Sequence, residues 1–153
     1  MGLYNEQVAV ALSPDLGLQL ASVPLGLGPY GAVAGPDGRI WMTSGPGGAT
    51  FIVAIDPETF DVERVPLPEG VVTYGISVDG LGRILVAGEW GTRWRGAAAY
   101  DPVTERWSQS GSLPASRNRY AVRGIAASAG SIWVAGRSAS EDGHRRHPVR
   151  QFL

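Results

Sequence analysis

The chain contains no cysteine, which removes disulfides, thiolate nucleophiles and cysteine-ligated metals from its chemistry. Lysine is missing as well: all thirteen basic residues are arginine, so no lysine Schiff base can form. Histidine is scarce. The only two, His144 and His147, have the spacing of a metal pair, but a pair needs a helix of suitable phase and a third ligand. The segment around them, between arginines and Pro148, reads as an irregular loop, so no metal site is expected there. The serine-rich stretch 108–116 has no histidine and acid beside it, which leaves a nucleophilic triad without support. A net charge of -1 gives no overall pull toward nucleic acid or membrane, and neither is expected as a partner. Residues 1–6 lack the basic start and apolar core of a signal peptide, and Glu6 spoils a myristoylation pattern. The expectation is a cytoplasmic protein.

What the chain does have is punctuation. Its 22 glycines and 11 prolines, with 44% hydrophobic residues in 153, indicate one turn-dense, all-β domain. The stretch Tyr74–Pro114 holds four short runs and four turns. It opens Tyr74-Gly75-Ile76-Ser77-Val78, turns through Asp79-Gly80-Leu81-Gly82 and continues Arg83-Ile84-Leu85-Val86-Ala87-Gly88. A loop rich in tryptophan and arginine follows, then Ala97–Tyr100, the turn Asp101-Pro102-Val103-Thr104, Arg106-Trp107-Ser108 and Leu113-Pro114. The same order occurs about 44 residues earlier, from Tyr30-Gly31 through Gly38–Met42 and Ile55–Thr59 to Val65–Pro68. That spacing is inside the roughly 40 to 50 residues of a propeller blade. A third start appears in Arg123-Gly124-Ile125 and Gly130–Gly136, while Val8–Pro14 and Ser22–Leu25 match only the second half of a unit.

The units therefore divide as a half-blade (5–28), blade 1 (29–69), blade 2 (70–115) and a partial blade 3 (116–153), about three blades per chain. Gly31-Ala32-Val33-Ala34 is small enough for inner strands converging on an axis. Ile40-Trp41-Met42 is apolar on both faces, as in a strand covered on both sides. Phe60–Val65 alternates with polar residues and belongs on the rim. The third unit starts at about Tyr120 and, after a polar stretch from Ser138 to His147, ends in Val149–Leu153, with Phe152 at the place of Tyr100 and Ile55.

Two, eight and three strands fall short of a closed propeller, which takes four to eight blades of four strands. Two copies about a two-fold axis make up the difference. Each N-terminal half-blade completes the other copy's C-terminal sheet, giving a six-bladed propeller closed by homodimerisation with one strand per chain to spare. Closure by a different chain is the alternative.

Sorting charges by topology places Arg93, Arg95, Arg117, Arg119, Arg137, Arg145 and Arg146 on one face, against Glu69, Glu89, Glu141 and Asp142. Asp15, Asp37, Asp56, Glu58, Asp79, Asp101 and Glu105 fall on the other, against Arg39 and Arg83. An anionic or aromatic ligand suits the arginine-rich mouth, because guanidinium groups fork onto carboxylate or phosphate and stack on rings. Glu89-Trp90-Gly91-Thr92-Arg93-Trp94-Arg95 is the candidate wall. The plain alternative is that the opposite acids cap turns and the long loops are merely solvated. Tyr30, Tyr74 and Arg123 hold equivalent places before the inner strands. In a two-fold ring they make four tyrosines and two arginines that line a pocket, or cap the axis as packing.

At Pro29-Tyr30-Gly31 through Ile40-Trp41-Met42-Thr43 to Pro66-Leu67-Pro68, echoed at Tyr74-Gly75-Ile76 and Arg123-Gly124-Ile125, the chain resembles the streptogramin B (virginiamycin B) lyase family of β-propellers. From Tyr100-Asp101-Pro102-Val103-Thr104 and Trp107 through Leu113-Pro114, Arg117 and Ile132–Gly136 it resembles a kelch repeat. The lyase resemblance implies ring opening of a cyclic depsipeptide by elimination, a carbon–oxygen lyase reaction. It also implies a divalent metal such as magnesium, a histidine before the repeat's glycine and a glutamate after the second strand. Tyr30, Tyr74 and Arg123 fill the histidine places, and Glu89 falls one residue late for the glutamate. The kelch resemblance implies partner binding through the loop-bearing face. The expectation is accordingly a non-catalytic binding module without a cofactor. Its ligand or protein partner is held by Tyr30, Tyr74, Trp90, Arg93, Trp94, Arg95, Arg117, Arg119 and Arg123. The alternative is a lyase-like enzyme with Glu89 as its acid.

Overall fold

The computed structural model describes the backbone of residues 3–45, 49–69, 71–90, 94–110, 119–128, 130–139 and 149–151. Among these residues a single helical turn, α1 (Leu3–Glu6), precedes thirteen strands in four antiparallel sheets, in each of which a strand pairs with its neighbour in sequence. β1 (Val8–Leu12) and β2 (Gln19–Pro24) form a two-stranded sheet. β3 (Pro29–Ala34), β4 (Ile40–Ser44), β5 (Phe51–Ile55) and β6 (Val62–Pro66) form the first four-stranded sheet. The second comprises β7 (Val71–Val78), β8 (Ile84–Trp90), β9 (Trp94–Asp101) and β10 (Arg106–Gln109). The last has three strands, β11 (Arg119–Ser128), β12 (Ser131–Ala139) and β13 (Val149–Gln151). Among the described residues, no helix is long and apolar enough to cross a membrane.

The reversals are built as their residues dictate. In Asp56-Pro57-Glu58-Thr59, the Asp56 carboxylate accepts the backbone N–H groups of Glu58 at 2.8 Å and Thr59 at 3.0 Å. Asp101 repeats this with Val103 and Thr104, and the Thr104 hydroxyl returns to the same carboxylate at 2.8 Å. A short polar side chain thus copies a backbone turn, and proline presets its first angle. Both turns close on a residue with positive φ, Phe60 at 63° and Glu105 at 56°. This shortens the strand expected from Phe60: β6 begins at Val62, because Phe60 and Asp61 complete the turn.

Packing between sheets makes three apolar layers. Ala9, Val23, Leu25 and Leu27 pack on Val53 and Ile55. Trp41, Ile52, Ala54 and Val65 pack on Ile84 and Tyr100. Leu85, Ala87, Ala97 and Ala99 pack on Ile132 and Val134. The middle strands are apolar on both faces for this reason: Trp41 serves the second layer, while Ile40 and Met42 border the first. Trp41 is fully buried, and its indole N–H donates to Asp37 at 3.1 Å. Its ring lies 5.7 Å from that of Tyr100. Trp107 stacks beyond, 5.2 Å from Tyr100, and its indole N–H donates to the Pro66 carbonyl at 2.9 Å. Inner strand β7 lies between β3 and β11, which is how the ends of three sheets meet at one place.

Candidate functional site

Three inner strands can converge only where side chains are absent. A Cβ at Gly75 would stand 2.6 Å from the Arg123 carbonyl, and one at Gly31 3.1 to 3.3 Å from Ile76, Thr43 and the Tyr74 carbonyl. Contacts of that length are too tight for ordinary packing, so glycine is what lets the backbones approach.

The residue before each glycine carries the chemistry, and in each strand the ladder slips there. Register shifts lie between Pro29 and Gly31, between Thr73 and Ile76, and between Val122 and Gly124. Tyr30, Tyr74 and Arg123 therefore sit on bulges, which re-aim a side chain out of the regular alternation. Their side chains meet. The Tyr30 and Tyr74 rings contact edge to face with centroids 5.8 Å apart, and the Arg123 guanidinium carbon lies 3.9 Å from the centre of the Tyr74 ring. Tyr74 is buried, whereas Tyr30 is 49% exposed and Arg123 is exposed as well. Among the described residues, no carboxylate forms a salt bridge with Arg123.

Two threonines that the sequence reading passed over fix this row. Thr43 and Thr73 are both fully buried. The Thr43 hydroxyl donates to the Tyr74 carbonyl at 2.5 Å, and the Thr73 hydroxyl to the Ser44 carbonyl at 3.4 Å. Each bond crosses from one four-stranded sheet to the other, so the backbone that carries Tyr74 is tied to β4 at two adjacent points. A hydroxyl within an apolar strand, as in Met42-Thr43-Ser44, was the available signal, since a buried hydroxyl requires a partner.

The remaining expected site residues are only partly placed. Of the loop expected at 89–95, residues 91–93 lie outside the described residues, and the rest is strand. β8 runs to Trp90 and β9 starts at Trp94, with Glu89 opposite Arg95 and Trp90 opposite Trp94. On its other side Glu89 pairs with Val72, next to Thr73 and Tyr74, so the hairpin rises at the end of the sheet where the row lies. The side chains of Glu89, Trp90, Trp94 and Arg95 lie outside the described residues, as do Arg93, Arg117, Arg145, Arg146, His144 and His147 entirely. Arg119 pairs with Ala139 in β11, and only its backbone is described.

At the opposite end of the strands the acids have structural partners. The Asp37 carboxylate accepts from Arg39 Nε at 2.7 Å, from its backbone N–H at 3.1 Å and from Trp41. Asp79 does the same for Arg83, with Nε at 2.7 Å and the backbone N–H at 2.9 Å. Arg39 also reaches Glu63. Burial pushes both aspartates up, but these hydrogen bonds, joined by the Arg39 and Arg83 charges, outweigh it and hold each below the ordinary carboxylate range. These acids cap turns and orient arginines, whereas the exposed Arg123 of the bulged row has no such turn role.

The donor set bears on the metal that the lyase resemblance implies. Among the described residues no three histidines, cysteines or acids come together, and the place where that family has histidine holds two phenols and a guanidinium. A cation at Arg123 opposes a divalent metal beside it, so the described side chains do not fit one at this row.

No protein-family pattern and no curated protein matches this chain. Among solved structures it is similar to a catalytically inactive histidine-to-alanine variant of virginiamycin B lyase from Staphylococcus aureus with quinupristin. The identity is 16% and the TM-score 0.71 over 95% of this chain. It is also similar to the selenomethionine-substituted lyase from the same organism, at 17% identity and TM-score 0.68 over 95% of this chain. The chain spans 50% of the length of each. At such identities the likeness is one of fold, and the fold shared is the β-propeller.

Proposed function

We propose that this chain is a non-catalytic β-propeller binding module whose ligand is a small molecule joining an aromatic ring to a carboxylate or phosphate. The observation that carries this reading is the bulged row, with the Arg123 guanidinium 3.9 Å from the Tyr74 ring centre and Tyr30 exposed beside it. A guanidinium over a ring keeps its N–H edge available for an anion, and the exposed Tyr30 ring offers a surface for stacking. In the ring we propose, a second copy closes the propeller as a six-bladed homodimer, and the row is repeated across the axis. Calorimetric titration of the full chain with phenyl phosphate tests the reading. Saturable binding that weakens when benzene alone or phosphate alone replaces it supports the module, and no heat up to millimolar ligand contradicts it.

The likeness to lyase structures favours a second reading, an elimination that opens a cyclic depsipeptide with Glu89 as the acid. Incubation with quinupristin, followed chromatographically, separates the two. Turnover that disappears in Glu89→Gln supports the lyase, and intact quinupristin with retained phenyl phosphate binding supports the module.

A further inference from the structure

Inner strand β7 meets β3 on one side and β11 on the other, and the two junctions use different chemistry. The first is built with hydroxyls. Thr43 pairs through its backbone with Gly31, the residue that follows Tyr30, while its hydroxyl donates to the Tyr74 carbonyl at 2.5 Å. One buried residue therefore touches the backbone beneath both tyrosines. Thr73, just before Tyr74, donates across the same junction the other way, to the Ser44 carbonyl at 3.4 Å.

The register makes the second junction directly comparable. Val122 precedes Arg123 as Thr73 precedes Tyr74, and the two pair with Gly136 and Gly88, the places that correspond to Ser44 opposite Pro29. Ala87 stands before Gly88 as Thr43 stands before Ser44, and it is equally buried. Neither alanine nor valine has a hydroxyl to donate. Close backbone approach joins β7 to β11 instead, with the Arg123 carbonyl 2.6 Å and the Gly124 Cα 3.1 Å from where a Gly75 Cβ would stand. A blade junction of this fold is thus made without the two hydroxyls. A buried hydroxyl also returns little net stability once its desolvation is counted. What it supplies is direction, because a hydrogen bond fixes an angle and a distance whereas an apolar contact does not.

We propose that Thr43 and Thr73 are positioning residues for ligand binding at the bulged row. They set the separation of Tyr30 and Tyr74, the edge-to-face pair at 5.8 Å, so that Tyr74 presents its face to the Arg123 guanidinium while the exposed Tyr30 ring keeps its place beside it. This rests on the reading of that row as a ligand site and adds what holds its aromatic half in place. Both threonines lie beneath the row and act through the backbone of Tyr74, not by contact with the ligand. With the tyrosines preset, less ordering remains to be done when a ligand arrives.

Calorimetric titration of phenyl phosphate into the full chain tests this with two substitutions. Thr43→Val keeps the shape and removes the donor, and Thr43→Ser keeps the donor. Ile52→Val, at a buried core position on the neighbouring strand β5, is the control for lost stability. Thr43→Val is expected to bind about three- to tenfold more weakly than the wild-type chain, the worth of one hydrogen bond. Thr43→Ser and Ile52→Val are expected to stay within about twofold of it. In the unliganded proteins, the ring resonances of Tyr30 and Tyr74, assigned by replacing each with phenylalanine, should move in Thr43→Val and stay in Ile52→Val. Thr73→Val, which removes the longer bond, is expected to move the same resonances less and supplies a second reading if Thr43→Val does not fold. Wild-type affinity in Thr43→Val, equal losses in the valine and serine variants, or unmoved ring resonances overturn the positioning role and leave the binding module standing. A wild-type chain that binds no phenyl phosphate overturns both.

Discussion

The Arg123 guanidinium rests 3.9 Å from the centre of the Tyr74 ring, on a strand that Gly75 admits to within a Cβ radius of its neighbour. A cation over a ring at an exposed site contributes only about 0.5–1 kcal/mol. Backbone geometry, rather than this contact, therefore holds the pair, and removing the arginine should not unfold the protein. Arg123→Ala is expected to change stability by about 1 kcal/mol or less, read as a small shift in thermal midpoint. A loss of several kcal/mol would make Arg123 a structural residue.

Gly75 is the stricter position. A methyl there meets the Arg123 carbonyl at 2.6 Å, and backbone cannot rotate aside as a side chain can. Gly75→Ala is expected to cost about 1–3 kcal/mol as an overpacked contact. At Gly80 no heavy atom lies within 4 Å of an added Cβ and φ is not positive. Gly80→Ala should be neutral, or more stable by up to about 1 kcal/mol. Urea unfolding of the two variants checks the contrast, and equal costs would contradict the convergence of inner strands at Gly75.

Trp41 ties a turn to a layer: its ring is buried between sheets while its N–H reaches Asp37. Trp41→Ala is expected to cost about 3–5 kcal/mol. Trp41→Phe should cost less, since most of the ring volume remains and only the bond to Asp37 is lost. Equal losses in chemical denaturation would mean that the hydrogen bond, and not the packing, dominates.

Much of this was legible from residues alone. The units recur because each sheet must present the same two faces to its neighbours, so the apolar runs around Trp41 and Leu85 and the turns at Asp56 and Asp101 declare themselves. The equivalence of Tyr30, Tyr74 and Arg123 was visible from the glycine that follows each. Their contact was not, because it arises from bulges, and a bulge leaves no composition signal beyond that glycine. Alternation with polar residues extends the strand pattern back to Phe60, but the turn needs one more residue with positive φ there. At Glu89 and Trp94, Gly91 and the charged residues around it have loop composition, yet pairing with β7 and β9 extends the ladder there.

Acid should weaken the turns first. Asp37 and Asp79 are held below the ordinary aspartate value of about 3.9. A carboxylate depressed in the folded state contributes stability that is fully present above its unfolded value and is lost as pH falls through the folded one. Thermal midpoints governed by these groups should stay level from neutrality to about pH 5 and fall below about pH 4. Asp37→Asn and Asp79→Asn should be less stable at pH 7 and show a shallower acid decline. Melts from pH 7 to pH 2.5 check this, and an unchanged acid slope in both variants would contradict it.

The most direct test of the binding row is calorimetric titration of phenyl phosphate into the wild-type chain, Arg123→Lys and Arg123→Ala, each shown to be folded. Lysine keeps the charge but loses the planar fork, so affinity should fall in the order arginine, lysine, alanine, with alanine at least about tenfold weaker, or about 1.4 kcal/mol. Equal affinity in all three, or no binding by the wild-type chain, would contradict the assignment of Tyr30, Tyr74 and Arg123 as a ligand site.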